Sequence, residues 1–164
     1  MIAGARAQIG QHTRSEMGGD VYIKCVATPD ELKDDTKQLL DELDRELFPE
    51  DVPYNKAGCY WWIAYNDKTP VGFAGLKVLD GVNKGLGFLC RAGIKRSARA
   101  SGLQRRLIRV RERKARALGL KSLITYTARH NFASTVNLIK TGYRLTIPNW
   151  YYGGATANYF EKKL

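Results

Sequence analysis

The sequence predicts a mixed α+β fold with a central, mostly antiparallel sheet of about six to seven strands, flanked by three to four helices. Runs rich in β-branched and aromatic residues alternate with stretches whose apolar residues recur at helical spacing. Three successive strand runs are separated only by short turns, which is typical of antiparallel neighbours. No internal repeat and no second apolar core is visible in the 164 residues, so we expect one domain over residues 20–164.

The first half of the chain is expected to hold one strand, one helix and the three successive strands. Residues 21–28 form a β-rich run, and the helix should open at Pro29, where acidic residues follow and suit the helix dipole. It should end before Pro49, because the residue preceding a proline avoids helical backbone angles. The next strands are predicted over residues 60–65, 71–79 and 86–94.

A long and strongly basic helix is predicted from Ser101 to Leu118. Its apolar stripe is expected to consist of Leu103, Leu107, Val110, Ala117 and Leu118. Its other face carries Arg105, Arg106, Arg109, Arg113 and Arg116. The remaining elements are a strand over 120–126, a helix over 133–140 and two strands over 143–147 and 158–164.

Composition limits the function classes that fit the chain. There are 27 Lys and Arg residues against 16 Asp and Glu, and the formal net charge of +11 favours anionic partners such as phosphate-bearing ligands. No apolar run approaches the roughly 20 residues of a membrane helix, and residues 1–19 read as a flexible polar arm without a signal-peptide core. Three widely spaced cysteines and two histidines give neither a disulfide framework nor metal-ligand spacing. We therefore expect a cytoplasmic protein without a metal or a membrane partner.

The chemically informative segment covers residues 94–107, where a strand ends, a short turn of small and basic residues follows, and a helix begins. Backbone N–H groups in such a turn, together with the unpaired N–H groups of the first helical turn, form a cradle for an anion. Gly102 lets a phosphate approach the backbone because it has no Cβ, and Arg99 supplies a positive charge. A pyrophosphate would fit this turn.

The segment from Arg99 to Gln104 reads Arg-Ala-Ser-Gly-Leu-Gln and resembles the acyl-CoA motif of the GNAT superfamily, Gln/Arg-x-x-Gly-x-Gly/Ala. The first four positions fit, and Gln104 replaces the final small residue. Four further segments resemble the family in the right order, namely residues 60–64, 70–76, 131–134 and 140–143. The likeness extends from about Val21 to the carboxyl terminus.

The resemblance implies an N-acetyltransferase that moves an acetyl group from acetyl-CoA, its co-substrate, to a primary amine without a metal. Most of the catalysis in such enzymes comes from holding two substrates in reacting geometry. A backbone N–H near Ile94 would polarise the thioester carbonyl. The residues that the resemblance assigns to acetyl-CoA binding are Ile94, Arg99, Ala100, Ser101, Gly102, Leu103, Gln104, Asn131 and Ser134.

The usual acid and base of the family are missing from this chain. The family's tyrosine position falls on Leu138 and its carboxylate position near Phe88, and neither side chain ionises. Tyr126 and His130, near the end of the fifth strand, are candidate catalytic substitutes because either can exchange a proton. Further tyrosine candidates are Tyr143, Tyr151 and Tyr152. The acidic residues that could attract an ammonium group are Glu46, Glu50 and Asp51.

An alternative function remains open at this stage. The missing acid and base, and the many arginines, also fit a catalytically weak GNAT-like module that binds CoA or nucleic acid through its arginine-rich helix. A plain nucleic-acid-binding domain fits the charge but does not account for the ordered likeness along the chain, so nucleic acid is not the favoured partner. The expected partners are acetyl-CoA and an amine acceptor, and a homodimer is left open.

Overall fold

The computed structural model describes residues 18–164, in which seven strands form one sheet and three α-helices pack against it. The strands are β1 (Val21–Ala27), β2 (Tyr60–Asn66), β3 (Thr69–Val78), β4 (Leu86–Ile94), β5 (Ser122–Ala128), β6 (Arg144–Thr146) and β7 (Ala157–Lys163). The helices are α1 (Asp34–Leu47), α2 (Leu103–Ala117) and α3 (Phe132–Lys140). The predicted mixed α+β architecture and its order of elements are confirmed. The predicted arm over residues 1–19 lies outside the described residues except for Gly18 and Gly19.

The strand order in the sheet is β1-β2-β3-β4-β5-β7-β6, and every neighbouring pair is antiparallel except β4 and β5. These two parallel strands are in register over Leu86–Phe88 and Ser122–Ile124. Beyond this short ladder β4 continues to Ile94 and β5 to Ala128, so their carboxyl-terminal parts diverge. The divergence opens a gap between the two strands, and this gap organises the candidate site.

Strand β4 carries a bulge between Phe88, its last residue paired with β5, and its end at Ile94. Ala74 pairs with Ala92 and Gly75 pairs with Cys90, so Arg91 is the extra residue on β4. The buried guanidinium of Arg111, from α2, donates to the carbonyl oxygens of Gly75 (3.2 Å) and Cys90 (3.4 Å). A buried cation thus satisfies backbone acceptors beside the bulge.

The core has two layers, one on each face of the sheet. Apolar residues of α2 and α3 pack on one face with alternate strand residues; this layer includes Trp62, Leu76, Leu103, Leu107, Leu123, Leu138 and Phe160. On the other face α1 covers β2, β3 and β4; this layer includes Leu40, Leu43, Trp61, Ile63, Phe73 and Cys90. No helix in the described part of the chain has both the length and the apolar character needed to cross a bilayer.

Two helix starts and one apolar stripe differ from the sequence prediction. Helix α1 begins at Asp34 instead of Pro29, because Thr28 and Glu31 exchange backbone hydrogen bonds in a turn of their own. Helix α2 begins two residues after Ser101.

The apolar stripe predicted for α2 is wrong at its carboxyl-terminal end. Ala117 and Leu118 are exposed, whereas Ile108, Arg111, Glu112 and Ala115 are buried. Charged side chains at helical spacing usually face solvent. Arg111 and Glu112 instead find partners in the interior, because Glu112 pairs with Lys162 of β7 (2.9 Å).

Candidate active site

A cleft of about 400 Å³ lies at the carboxyl end of β4, between the end of α1 and the starts of α2 and α3. Ala92, Gly93 and Ile94 form its floor along β4. Leu47 and Phe48 border it at the end of α1, and an added Cβ on Gly93 would lie 2.9 Å from both of their side chains. The close packing at Gly93 therefore fixes how far the end of α1 stands from β4.

The turn between β4 and α2 has the geometry of an anion cradle. A short 3₁₀ turn at Arg96–Ala98 is followed by two residues with left-handed backbone, Ala100 (φ 61°) and Gly102 (φ 76°). Gly102 is the residue that precedes the first turn of α2, and the N–H of Arg106 bonds to its carbonyl oxygen. The N–H groups of residues 103–105 therefore have no acceptor within the helix. They lie at the start of α2, which borders the cleft.

Gln104, which departs from the family motif, connects α2 to α3. Its Nε2 donates to the hydroxyl oxygen of Ser134 (2.8 Å), and its Oε1 accepts from Nδ2 of Asn137 (2.9 Å). Asn131 caps α3, since its Oδ1 accepts from the backbone N–H of Ser134 (3.1 Å). A small residue at position 104 could not make the two contacts to α3, so the departure has a structural reason.

The structure brings eight of the nine predicted acetyl-CoA residues together around this cleft. They are Ile94, Arg99, Ala100, Gly102, Leu103, Gln104, Asn131 and Ser134. Ser101 does not line it, because its hydroxyl turns back and donates to the carbonyl oxygen of Ala98 (2.7 Å). Arg99 is exposed, and its Nε donates to the carbonyl oxygen of Ile94 (3.2 Å), which leaves the two terminal nitrogens of the guanidinium available at the rim.

The two candidate catalytic residues are not placed together. Tyr126 lies on β5 at the closed end of the gap, with its ring stacked on Phe88 at 6.0 Å between centroids. His130 lies in the exposed turn between β5 and α3, and within residues 18–164 its side chain makes neither a hydrogen bond nor an ion pair. Neither side chain lines the cleft.

The late tyrosines occupy three different environments. Tyr143 is buried in the core, and burial raises the pKa of its hydroxyl, with the nearby carboxylate of Glu112 adding to the effect. Tyr152 is half-buried against Tyr126, and burial likewise raises the pKa of its hydroxyl. Tyr151 is exposed. Of the three, only Tyr151 and Tyr152 lie where a substrate near Tyr126 would meet them.

Two of the three predicted acidic residues are already paired with cations. Glu46 pairs with Lys95 (2.8 Å), and Asp51 accepts a hydrogen bond from Nη1 of Arg91. Glu50 is exposed. The loop after α1 therefore offers less negative charge to an ammonium substrate than its sequence indicated.

Sequence reasoning missed Arg91 and Asp44, which fasten this loop to the sheet. Asp44 is buried, its Oδ2 accepts from Nζ of the buried Lys56 (2.6 Å), and its Oδ1 lies 2.9 Å from Nε of Arg91. The Arg91 guanidinium also covers the ring of Phe48 at 4.4 Å and donates to the carbonyl oxygen of Val52 (2.8 Å). The sequence did carry one indication of this contact, because Arg91 is the single charged residue in the otherwise uncharged strand β4.

A family model described as Acetyltransferase (GNAT) family matches residues 27–143. The chain therefore belongs to the GNAT acetyltransferase family and is an acyltransferase of that type. This confirms the resemblance drawn from the motif around Gly102. No curated protein sequence matches the chain.

Several solved structures share the fold, and each of the three below covers 88% of this chain. The ribosomal-protein-S18-alanine N-acetyltransferase from Escherichia coli has a TM-score of 0.68 at 12% identity, with 94% of that chain covered. A Bacillus subtilis acetyltransferase in complex with CoA has a TM-score of 0.67 at 15% identity and 99% coverage. The PaiA N-acetyltransferase from Thermoplasma acidophilum in complex with coenzyme A has a TM-score of 0.64 at 14% identity and 99% coverage. At these identities the likeness concerns the fold.

Proposed function

We propose that this acyltransferase moves an acetyl group from acetyl-CoA to a primary amine. The observation that carries the proposal is the cleft at the open end of the β4–β5 gap, with the N–H groups of the α2 start directed at it. Two solved proteins of the same fold are complexes with CoA, which supports the same ligand here.

The residues of the cleft fit the parts of acetyl-CoA. The turn at Ala100 and Gly102, with the start of α2, would take the pyrophosphate through backbone N–H groups, and Arg99 and Arg105 add positive charge at its border. Among residues 18–164, an added Cβ at Gly102 would have only Arg105 within 4 Å, so this part of the chain leaves space for a ligand beside the glycine. The backbone of residues 92–94 would hold the pantetheine arm.

The chemistry asked of this chain is mostly positioning. The amine nitrogen bonds to the acyl carbon, the carbon–sulfur bond breaks with its electron pair remaining on the CoA sulfur, and the proton that the amine gives up passes to that thiolate or to water. Backbone N–H groups of β4 that face the gap, between the bulge at Arg91 and Ile94, would stabilise the charge that develops on the acyl oxygen. Tyr126 is our first candidate for a proton-transferring side chain because it borders the gap, and His130 is the second.

The proposal is tested by thermal shift followed by turnover. Acetyl-CoA at 100 times its dissociation constant would add about 2.7 kcal/mol and raise Tm by about 5–10 °C. Release of the CoA thiol should then depend on an added amine. A folded sample that shows no shift at millimolar acetyl-CoA would contradict the proposal, whereas a shift without turnover would favour a binding module.

A second candidate function is nucleic-acid binding by a catalytically weak module. The observation behind it is the outer face of α2, where Arg109, Arg113 and Arg116 are exposed. Among residues 18–164, Arg116 lies 3.7 Å from Glu112, while Arg109 and Arg113 form no ion pair. Binding through these side chains would fall steeply as salt rises.

We also propose that residues 20–164 act as one domain in the cytoplasm. One sheet spans the described chain, which supports a single domain. Cys25, Cys59 and Cys90 are all free thiols, as is usual in a reducing compartment.

A further inference from the structure

The closed end of the β4–β5 gap is built from aromatic side chains. Phe88 is the last β4 residue paired with β5, and Tyr126 follows two residues after Ile124, the last paired residue of β5. The neighbours of Tyr126, Thr125 and Thr127, are buried, and Thr127 bonds to Thr135 of α3. Because side chains alternate along a strand, Tyr126 faces away from α3, on the side of the sheet that α1 covers only in part.

The loop between β6 and β7 completes an aromatic wall around Tyr126. The ring centroid of Tyr152 lies 5.9 Å from that of Tyr126 and 5.8 Å from that of Phe88, both edge to face. Trp150 packs on Tyr152 at 4.9 Å, and the backbone of Gly153 lies so close to the Tyr126 ring that an added Cβ would be 2.4 Å from it. Tyr126 is thus held rigidly.

Part of this wall remains open to a ligand. Tyr126 is 40% exposed and Trp150 is 56% exposed, although both belong to a packed cluster. Their ring surfaces offer an aromatic or apolar molecule a stacking partner at little cost in side-chain entropy, because the rings are already fixed.

Three carboxylates on this side of the sheet are paired with cations. Arg91 contacts Asp44 and Asp51, and Lys95 pairs with Glu46. Glu161, on the same face of the sheet as Tyr126, lies directly opposite Arg144 in the β6–β7 register. The paired carboxylates of Asp44, Asp51 and Glu46 therefore offer little free negative charge to a molecule with several ammonium groups.

We propose that the acceptor is a monoamine whose body is aromatic, an arylalkylamine, and that the wall formed by Phe88, Tyr126, Trp150 and Tyr152 selects it. The inference rests on the proposed acetyl transfer and adds the class of acceptor. The amine would enter the gap between β4 and β5, and the aromatic body would stack beside Tyr126. Polyamines and lysine-rich peptides would be poor acceptors.

The test compares acceptors that differ in one property. The panel holds 2-phenylethylamine, its saturated counterpart 2-cyclohexylethylamine, and spermidine, with acetyl-CoA saturating and CoA release as the readout. The expected KM for the phenyl compound is about threefold to tenfold below that of the cyclohexyl compound, in the range of an aromatic pair contact. Equal KM values, or a preference for spermidine, would overturn the inference while leaving the acetyltransferase proposal intact.

Isothermal titration of the same amines into CoA-loaded protein separates the inference from the proposed function. Selective binding of the phenyl compound without turnover would support the aromatic acceptor site and count against acetyl transfer. Equal dissociation constants for the phenyl and cyclohexyl compounds would overturn the aromatic acceptor site, even if another amine were acetylated.

Variants of Tyr126 and a matched control locate the effect. Tyr126→Leu should raise the KM for 2-phenylethylamine about threefold to tenfold, and Tyr126→Phe should hold it within twofold because the ring is kept. The control is Tyr22→Leu, since Tyr22 is similarly exposed (43%) and stacks on Tyr65 at 5.2 Å on the far edge of the sheet. An unchanged KM in Tyr126→Leu, or an equal rise in Tyr22→Leu, would show that the wall does not select the acceptor.

Discussion

Gly102 combines two requirements that a substitution can separate. Its φ of 76° lies in the left-handed region, which β-branched residues avoid, and its open side faces the proposed pyrophosphate site. Gly119, at the other end of α2, has a φ of 72°, and no atom of the described chain lies within 4 Å of an added Cβ, but this glycine lies away from the cleft. Both glycines therefore need a left-handed backbone, but only Gly102 also needs free space beside it for a phosphate.

We expect Gly102→Val and Gly119→Val to lower the free energy of unfolding by similar amounts, about 1–2 kcal/mol each. Only Gly102→Val should also weaken acetyl-CoA binding, because its side chain would keep a phosphate from the backbone N–H groups. Urea denaturation measures the stabilities and titration calorimetry the affinity. Equal acetyl-CoA affinity in the two variants would mean that the turn is structural only.

Gln104→Ala tests the bridge between α2 and α3. Loss of the contacts to Ser134 and Asn137 should cost about 1–2 kcal/mol and lower Tm by about 2–8 °C, because the partners are partly buried. Gln38→Ala is the matched control, since Gln38 bonds to Glu42 on the exposed surface of α1 and should cost less than about 0.5 kcal/mol. Equal losses in differential scanning calorimetry would contradict the proposed role of the bridge.

At the scale of elements, the loop after α1 is attached to β4 through Arg91. Asp44, Asp51 and the carbonyl of Val52 all meet its guanidinium, and Phe48, which borders the cleft, packs beneath it. The bulge on β4 is what turns the side chain of Arg91 toward α1 and its loop, because the extra residue shifts the alternation along the strand. One β4 residue thereby determines the position of a whole border of the cleft.

Arg91→Met should lower the free energy of unfolding by about 1–3 kcal/mol, because it removes one of the two cations beside the buried Asp44 carboxylate, which keeps Lys56, while roughly preserving the side-chain volume. It should also raise the KM for acetyl-CoA, since Phe48 loses its support. Lys95→Met is the control, because its partner Glu46 is more than half exposed and the pair should contribute less than about 1 kcal/mol. Chemical denaturation and initial rates give both quantities, and a loss in Arg91→Met no larger than in the control would refute the attachment.

The sequence predicted the elements more reliably than the contacts between them. The strand at residues 86–94 and the end of α1 at Leu47 were predicted correctly, because alternation and the Pro49 break are local signals. The buried positions of Arg111 and Glu112 were not, since a charged residue at helical spacing is usually solvated and only tertiary partners show otherwise. Sequence alone also placed Tyr126 near the end of the fifth strand, but not its packing against Tyr152, which lies in a loop about 25 residues further along the chain.

At the scale of the whole molecule, the excess of positive charge is spread beyond what one pyrophosphate needs. Arg109, Arg113 and Arg116 lie six to thirteen residues beyond Leu103 on α2, or about 9–20 Å along the helix axis. A ligand held at the start of α2 would not reach most of that stretch. These arginines therefore serve either solubility or a separate anionic partner.

Replacing Arg109, Arg113 and Arg116 together by Gln should leave acetyl-CoA affinity within about twofold of that of the parent protein. Retention on DNA and RNA across a salt series, measured for both proteins, distinguishes the two roles. We expect weak retention that disappears at physiological salt in both. Tight binding by the parent at physiological salt, lost in the triple variant, would favour the nucleic-acid-binding module instead.

The short ladder between β4 and β5 divides the sheet into two half-sheets, β1–β4 and β5–β7–β6, that meet along three residue pairs. Each strand that borders the junction is held within its own half by an antiparallel ladder of seven residue pairs, β4 by β3 and β5 by β7, so a small rotation about the junction can widen the gap without breaking a hydrogen bond inside either half. The junction is then where native-state fluctuations should concentrate. A ligand that contacts both diverging strands would suppress that motion, and amide hydrogen exchange at the facing edges of β4 and β5 would slow when the cleft is filled.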